Sequence, residues 1–324
     1  AFRAFEKDGV ILFDLTVGGG LSKSKQIAYR AKRYVQVDQV KDVAVICSEI
    51  FRDHGNRQSR NKARVRHLVN DWGLEKFVEE LEKKLGYELQ VGEIEPFVES
   101  FENRNHFGIN KSKIKGESFI GFATNSGRVD GKDFVTMHEI LKKYNATGMR
   151  LTTTQNFVVF GVKDEDAFAL AQEFDALGYP YEPTYFRART QSCTGREFCK
   201  FGVTETKVFT KNLILDLEKR FPNFEENIML AISGCGNACS HPQIADIGLI
   251  GGKVKDAEGN RVEGYEVFYG GNLKGAKDST FAKSAGIKIA HTEVFDFLST
   301  LINEYIDDNK GSKTFKEYIS NIAV

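Results

Sequence analysis

The 324-residue chain has no excess charge, no long apolar run and little cysteine. Lys and Arg number 45, as do Asp and Glu, so the balance leaves no basic footprint for nucleic acid or an acidic membrane surface. No apolar run is long enough to cross a membrane, and no secretory signal pattern opens the sequence. These features favour a globular protein of two or three domains, in which any basic site is local.

Cysteine is scarce and unevenly placed. Only five cysteines occur, four of them in two short segments and one, Cys47, alone. A disulfide framework is typical of short secreted chains that cannot build a core, so we expect reduced thiols in a cytoplasmic protein. Cys47 lies on the apolar face of a predicted helix, which indicates a buried structural thiol. The four grouped thiols are candidates for binding metal.

Apolar periodicity in the first part of the chain predicts a strand followed by three helices. The strand covers residues 11–17, where apolar side chains alternate. Asp38 is placed to cap the first helix, and Gly55 would end it. Apolar stripes predict the second helix from Val65 to Trp72 and the third from Leu74 to about Gly86.

The middle of the chain predicts a ferredoxin-like unit after a polar link over residues 87–110. A strand over 118–124, a helix with Phe134 and Tyr144, and one long strand over 149–162 are expected in that order. We therefore expect a mixed α/β (α+β) architecture in three parts. These are the tail of an α/β domain (1–90), a ferredoxin-like half-module (91–165) and an α/β domain that carries the cysteine pairs (166–324).

Two strand-turn segments resemble each other. Residues 264–273 read GYEVFYGGNL, and residues 9–21 likewise run from a glycine through a Phe-containing strand to VGGGL. Both predict a strand that leads into a glycine turn, where the backbone approaches a ligand or a neighbouring chain. A true repeat would leave the first copy mostly absent, and the lack of an initiating Met agrees with truncation or processing. Chance resemblance is the alternative.

The clustered cysteines form two pairs, Cys193-x5-Cys199 and Cys235-x3-Cys239, with 35 residues between them. Four thiolates are the ligands of both iron–sulfur clusters and structural zinc sites. Zinc pairs are usually two to four residues apart, whereas a five-residue gap spreads the sulfurs wider, as a four-iron cube requires. Glycines at 195, 234 and 236 would let the backbone turn tightly and direct N–H groups at the cluster. The spacing favours a 4Fe–4S cluster, with zinc or unrelated buried thiols as alternatives.

These motifs resemble the ferredoxin-dependent nitrite and sulfite reductases. CTG-x3-C running on to TETK at 204–207 is similar to the family's first ligand pair. GCGNAC at 234–239, followed by QIADIG at 243–248, is similar to the second pair. FRDHGNR at 51–57 and VGGGL at 17–21 resemble the middle region and the strand before it, so the resemblance covers nearly the whole chain. Gly236 stands where many members carry proline.

The resemblance implies a 4Fe–4S cluster on Cys193, Cys199, Cys235 and Cys239, together with sirohaem. It implies that Cys239 bridges one cluster iron to the sirohaem iron, a shared thiolate that couples the two metals tightly. Asn237 would then lie close to the macrocycle, although a loop asparagine that caps its own turn is the alternative. The six histidines show no ligand spacing, and only His241 follows the last cysteine closely enough to approach a cofactor.

A basic stretch follows the first predicted helix, with only Asp53 opposing its charge. Its members are Arg52, Arg57, Arg60, Lys62, Arg64 and Arg66. Sirohaem is rich in carboxylates, which arginine binds with two parallel hydrogen bonds. The resemblance places this stretch near those carboxylates, with the following expected contacts: Asn56, Arg57, Arg60, Lys62 and Arg64. A solvated helix face is the alternative, which Arg66 fits best, and the lack of interleaved aromatics argues against nucleic acid.

The activity implied is six-electron reduction of nitrite to ammonia or of sulfite to sulfide, with single electrons from a ferredoxin-like donor. Thr194-Gly195 and Glu205-Thr206-Lys207 resemble nitrite enzymes slightly more. In the family, the residues that bind the substrate anion come largely from the first half, which we expect this chain to lack, so no catalytic residue is named. An incomplete or two-chain protein that only transfers electrons is the second interpretation, and a zinc-stabilised binding module is the third.

Overall fold

The computed structural model describes residues 1–21, 24–93, 106–272, 279–307 and 314–322. By its internal contacts the chain divides into two compact units, Ala1–Phe97 and Val98–Val324. The first unit has one buried apolar cluster, and the second has two. Within these described ranges, no helix has both the length and the apolar character needed to span a membrane.

The first unit packs three helices against a four-stranded antiparallel sheet in the order β1-β2-β3-β4. The strands β1 to β4 are Phe2–Lys7, Val10–Val17, Tyr29–Gln36 and Gln90–Val91. The helices α1 to α3 are Val40–His54, Val65–Trp72 and Leu74–Leu85. Apolar side chains from both layers form the core, among them Leu15, Val35, Ile50, Phe77 and Leu81.

The helices of this unit follow the predicted apolar stripes, but the predicted cap is wrong. Helix α1 starts after Gln39 without a side-chain cap, so Asp38 does not have that role. The Gln39 side chain instead accepts a hydrogen bond from the amide of Gln36 at 3.0 Å. Cys47 is half-buried on α1 and packs against the core, and burial raises the pKa of its thiol to about 11. This environment suits a structural thiol.

The sequence pattern does not predict β1 and β3, because half of the residues in each strand are polar. Both strands pair antiparallel with the apolar strand β2, in registers that place Phe5 beside Leu12 and Val35 beside Phe13. Each of the two strands thereby satisfies its backbone hydrogen bonds on β2. Pairing with β2, more than local composition, therefore decides their structure.

The second unit begins with a four-stranded antiparallel sheet in the order β5-β6-β8-β7, packed against α4 and α5. The elements are β5 Gly108–Lys111, β6 Glu117–Phe122, α4 Gly131–Lys143, β7 Gly148–Leu151, β8 Phe157–Lys163 and α5 Ala167–Ala176. The single long strand predicted over 149–162 is wrong, because the chain reverses over 152–156. Gln155 takes a positive φ of 63° in that turn. Of the predicted link over 87–110, residues 94–105 lie outside the described part.

A five-stranded sheet carries the cysteines, with strands in the order β13-β12-β11-β10-β9. Strands β9, β10 and β11 are parallel, whereas β12 and β13 pair antiparallel. Strands β9 to β13 are Gln191–Ser192, Leu230–Ser233, Ile247–Lys255, Arg261–Tyr269 and Lys283–Ala290. Helices α6 to α9 are Tyr185–Arg189, Lys207–Arg220, Val294–Asp307 and Phe315–Ile322. Tyr265 and Phe315 are fully buried in the core that these elements share.

Both predicted glycine turns form. Gly18 follows β2 with a φ of 80°, and Gly270 follows β12 with a φ of 74°, a conformation that side chains with a Cβ rarely adopt. At Gly18, an added Cβ would make only an ordinary contact, 3.5 Å from the Cα of Arg66, so the positive φ and not a lack of space favours glycine there. Gly270 donates a backbone hydrogen bond to Asp246 at 3.0 Å. Leu273 lies outside the described residues, and an internal repeat stays a prediction.

Candidate metal centre

The two cysteine loops start side by side because β9 and β10 are parallel. Ser192 of β9 is in register with Ile232 of β10, and the amide of Cys193 donates to the carbonyl of Ile232 at 3.0 Å. The carboxyl ends of parallel strands meet at the same edge of a sheet. The pairing therefore brings Cys193 and the Gly234-Cys235 loop together although 41 residues separate Cys193 from Gly234.

Backbone hydrogen bonds interlock the two loops. The amides of Val203 and Thr204 both donate to the carbonyl of Gly234, at 2.8 and 3.2 Å. The Gly234 amide donates to the sulfur of Cys193 at 3.0 Å. The hydroxyl of Thr206 donates to the carbonyl of Cys193 at 2.6 Å. The position of Cys193 is thus restrained by contacts to its amide, its carbonyl and its sulfur.

The three glycines predicted to shape these loops have different roles. Gly195 has a positive φ of 70°, and a Cβ there would lie 2.3 Å from the hydroxyl of Thr206. Gly234 has no positive φ, but a Cβ would lie 3.0 Å from the carbonyl oxygen of Thr204. Gly236 has no positive φ either. Of the three glycines, only Gly195 therefore has a left-handed backbone, and Gly234 is needed for close approach of the loops.

A buried serine pair holds the second loop. The hydroxyls of Ser233 and Ser240 are 2.7 Å apart, and the Ser240 amide donates to the Ser233 hydroxyl at 3.1 Å. Between them, Ala238 adopts a left-handed φ of 55°, and its amide donates to the carbonyl of Cys235. This compact turn leaves the side chains of Asn237 and Cys239 exposed.

Three of the paired cysteines, Cys193, Cys199 and Cys235, lie within electrostatic reach of the fourth, Cys239. Burial is the main cause that raises the pKa of the Cys239 thiol, and Cys193, Cys235 and Cys199 raise it further. Four thiols on interlocked loops, with one N–H directed at a sulfur, are a donor set that fits an iron–sulfur cluster. Within the described ranges, no three His, Cys, Asp or Glu side chains are arranged to hold a single metal ion. The match between these residues and an iron–sulfur cluster therefore depends on the four thiols and on the geometry of their loops.

Lys207 and Gln155 both contact Ser192, the residue before Cys193. Sequence reasoning did not predict these two contacts. The ammonium of Lys207 donates to the carbonyl of Ser192 at 2.9 Å, and burial lowers the pKa of Lys207 to about 8. The side chain of Gln155 donates to the same carbonyl at 2.8 Å and accepts from the Ser192 amide at 3.2 Å. The lysine occurs in the TETK motif, but the sequence carries no signal for the glutamine.

An ionic network fixes the other side of the first cysteine loop. Arg196, between the two cysteines of the first pair, forms an ion pair with Glu263 of β12. Glu263 also accepts from the amide of Glu205 at 3.3 Å. The carboxylate of Glu205 accepts from the amides of Val208 and Phe209 in the first turn of α7. The loop is thereby connected to both the sheet and the start of a helix.

The basic stretch lies mainly in the connection between α1 and α2 and belongs to the unit Ala1–Phe97, whereas the four paired cysteines belong to the other unit. Its exposed members are Arg52, Arg57, Arg60, Lys62 and Arg64. Arg57 lies over the ring of Phe51 at 4.7 Å, and neither Arg60 nor Lys62 forms an ion pair with any described residue. Asn56 is half-buried, and its side-chain oxygen accepts from the amide of Ser59.

Arg66 does not fit the solvated helix face expected for it. Its side chain is half-buried and donates to the carbonyl of Leu21 at 3.3 Å. A Cβ at Gly20 would lie 2.3 Å from the Arg66 guanidinium, so the glycine turn makes room for this contact. The arginine is structural because it fastens α2 to the end of β2.

Family models match most of the chain. The nitrite and sulphite reductase 4Fe-4S domain matches residues 1–89 and 187–324, and the nitrite/sulfite reductase ferredoxin-like half domain matches residues 112–177. A sulfite reductase (ferredoxin) of Mycolicibacterium paratuberculosis is 35% identical over 310 residues, which cover 94% of this chain and 55% of that protein. A chloroplastic ferredoxin–nitrite reductase of Arabidopsis thaliana is 32% identical over 277 residues, covering 84% of this chain and 47% of that protein.

A solved structure agrees with these matches. The NirA protein of Mycobacterium tuberculosis superposes with a TM-score of 0.89 at 30% sequence identity, over 97% of this chain and 58% of that one. The chain thus spans about half the length of the relatives that it matches. The match confirms the predicted mixed α/β fold with a ferredoxin-like half domain. The chain belongs to the nitrite and sulfite reductase family and carries that family's 4Fe–4S domain.

Proposed function

We propose that this chain forms the cluster-bearing part of a ferredoxin-dependent reductase that converts nitrite to ammonia or sulfite to sulfide. The observation that supports this most directly is the pair of interlocked cysteine loops at the carboxyl ends of β9 and β10. Both loops lie in the region matched by the family's 4Fe–4S domain. Relatives named for sulfite and for nitrite match at similar identity, 35% and 32%, so the proposal covers both anions.

The cofactors of the family are a 4Fe–4S cluster and sirohaem, which together supply one-electron transfer and a macrocyclic iron for the reduction. We assign the cluster to Cys193, Cys199, Cys235 and Cys239. The chain's own contribution is to hold four thiolates on restrained loops and to direct the Gly234 amide at a sulfur, which stabilises its negative charge. Electrons would come from ferredoxin, the donor named in the relatives.

Sirohaem contacts are proposed on chemical grounds. Cys239 is exposed, whereas the other three ligand cysteines are half-buried, so its sulfur is the best placed to be shared with a second iron. Asn237 is exposed in the same turn. The proposed carboxylate contacts are Asn56, Arg57, Arg60, Lys62 and Arg64. Four of these are exposed cations, which suits them to bind the carboxylates of a ligand.

Metal analysis tests the cluster. Anaerobically purified protein should contain about four irons and four labile sulfides per chain. Cys235→Ser should lose much of this iron, because three thiolates leave one iron open. Cys47→Ala is the matched control, and it should keep the iron at a stability loss of about 1 kcal/mol for the small cavity. Stoichiometric zinc without sulfide, or equal iron loss from both variants, would contradict the assignment.

Turnover tests the reaction. The complete protein, supplied with reduced ferredoxin, should form ammonia from nitrite or sulfide from sulfite in a ratio of six electrons to one product. The comparison of the two anions at equal concentration identifies the substrate. If the protein contains iron and sulfide but reduces neither anion, the cluster assignment remains valid and the proposed reductase activity is wrong.

A further inference from the structure

A half-buried lysine, Lys207, contacts the residue that precedes Cys193. The ammonium of Lys207, at the start of α7, reaches three oxygens: the carbonyls of Ser192 and Ser126 and the side-chain oxygen of Gln155. Ser192 is the residue that precedes Cys193, and Ser126 and Gln155 lie in loops of the ferredoxin-like sheet. One lysine therefore connects the ferredoxin-like sheet to the peptide that carries the first cysteine.

The side chain of Gln155 also holds Ser192, because it forms two hydrogen bonds with the Ser192 backbone, as an adjacent β-strand would. Its side-chain amide donates to the Ser192 carbonyl and accepts from the Ser192 amide, at 2.8 and 3.2 Å. Gln155 makes this pairing with a positive φ of 63°, a conformation that costs a non-glycine residue free energy. The hydroxyl of Ser126 returns a hydrogen bond to the carbonyl of Lys207 at 3.1 Å. The three residues thus form a closed set of contacts around Ser192.

Among the described residues, no carboxylate forms an ion pair with the ammonium of Lys207. All three acceptors of the ammonium are neutral oxygens, and no described carboxylate lies within ion-pair distance of it. A half-buried cation without a counter-ion stabilises negative charge nearby more strongly than an exposed one, because water screens it less. The nearest ligand loop that can carry negative charge is that of Cys193, with which Lys207 interacts electrostatically.

We propose that Lys207 is a positioning residue that, with Gln155, orients Cys193 and raises the reduction potential of the cluster bound there. The inference rests on the proposed cluster assignment. Reduction adds one negative charge, so a fixed cation close to a ligand favours the reduced state. The same contacts restrain the Ser192-Cys193 peptide, which slows loss of the ligand from iron.

The experiment compares three variants of the cluster-loaded protein by redox titration and by the rate of iron release to a chelator. Lys207→Met removes the charge and keeps the length of the side chain. Lys211→Met is the matched control, because Lys211 is an exposed lysine one turn further along α7. Lys207→Arg keeps the charge.

We expect Lys207→Met to lower the one-electron reduction equilibrium constant at least tenfold, which is about 59 mV, and to release iron several times faster. Lys211→Met should match the parent, and Lys207→Arg should lie closer to the parent than Lys207→Met does. If Lys207→Met retains no cluster, a loaded Lys207→Arg with the parent's potential supports the proposal.

Three results would overturn the proposal: a parent-like potential and iron release in Lys207→Met, equal shifts in the Met variants of Lys207 and Lys211, or loss of the cluster in Lys207→Arg as well. The iron and sulfide content of the parent protein distinguishes failure of this proposal from failure of the cluster assignment. A parent without iron and sulfide would refute the assignment itself.

Discussion

The backbone amide of Gly234 donates a hydrogen bond to the sulfur of Cys193 at 3.0 Å. The amide belongs to the loop that follows β10, and the sulfur belongs to the loop that follows β9. This bond therefore joins the two cysteine loops at the atom that we assign as a cluster ligand. Hydrogen bonds to such sulfurs are one of the means by which a protein sets the potential of a cluster.

We expect Gly234→Ala to weaken that bond. The new Cβ would lie 3.0 Å from the carbonyl oxygen of Thr204 and 3.3 Å from the Cα of Gly195, so one loop must shift. The reduction potential should fall and iron release should accelerate, as measured by redox titration and chelator assay. Gly252→Ala is the control, because a Cβ at Gly252 meets nothing within 4 Å. Identical behaviour of the two variants would refute the role of close approach at Gly234.

The serine pair provides a stability prediction. Ser233→Ala should cost about 1–3 kcal/mol of unfolding free energy, because the buried hydroxyl and amide of Ser240 lose their partner. The Cys235–Cys239 turn should also loosen and lose iron sooner. Ser320→Ala removes an exposed hydroxyl from α9 and should change stability by less than about 0.5 kcal/mol. Urea unfolding measures both, and a Ser233→Ala variant as stable as the control would contradict the prediction.

Replacement of Cys239 should have a wider effect than replacement of Cys193. If its sulfur is shared with the sirohaem iron, Cys239→Ser in the complete protein should disturb both the macrocycle absorption and its magnetic coupling to the cluster. Cys193→Ser should act mainly on the cluster, because its sulfur is half-buried and faces the other loop. Normal macrocycle absorption and undiminished coupling in Cys239→Ser would show that the thiolate is not shared.

The raised pKa of the buried Asp14 carboxyl predicts that the stability of the first unit depends on pH. Burial raises the pKa of its carboxyl above the ordinary value, although Arg30 at 3.3 Å opposes the shift. The folded state therefore holds the proton more tightly than the unfolded state does. The stabilisation is complete below the unfolded pKa of about 4 and is lost as the pH rises through the higher folded pKa.

Asp14→Asn cannot titrate, so its unfolding free energy relative to the parent should increase as the pH rises from about 3.5 to 6. The parent protein, measured over the same range, gives the reference curve. Urea unfolding at each pH gives both curves. A constant difference for Asp14→Asn would mean that the carboxyl titrates alike in both states.

The sequence predicted correctly those helices and turns that depend on a local residue pattern. Helices α2 and α3 follow from apolar residues that recur at helical spacing, and the glycine turns follow from strands that end in glycine. Predictions failed where tertiary contacts override local pattern. Half of the residues in strand β3 are polar, and the strand owes its structure to pairing with β2. Arg66 is held by the carbonyl of Leu21, 45 residues away from it in sequence.

For the candidate centre, the sequence by itself determined which residues we assign to the cluster, because cysteine spacing and flanking motifs are properties of short segments. The tertiary structure alone decided what surrounds them. Lys207 meets Ser126 and Gln155 across sequence separations of 81 and 52 residues, and Gly234 meets the Cys193 sulfur across 41. A hydrogen bond depends on distances of about 3 Å and on the direction of its donor, and only the packing of sheets and loops sets both.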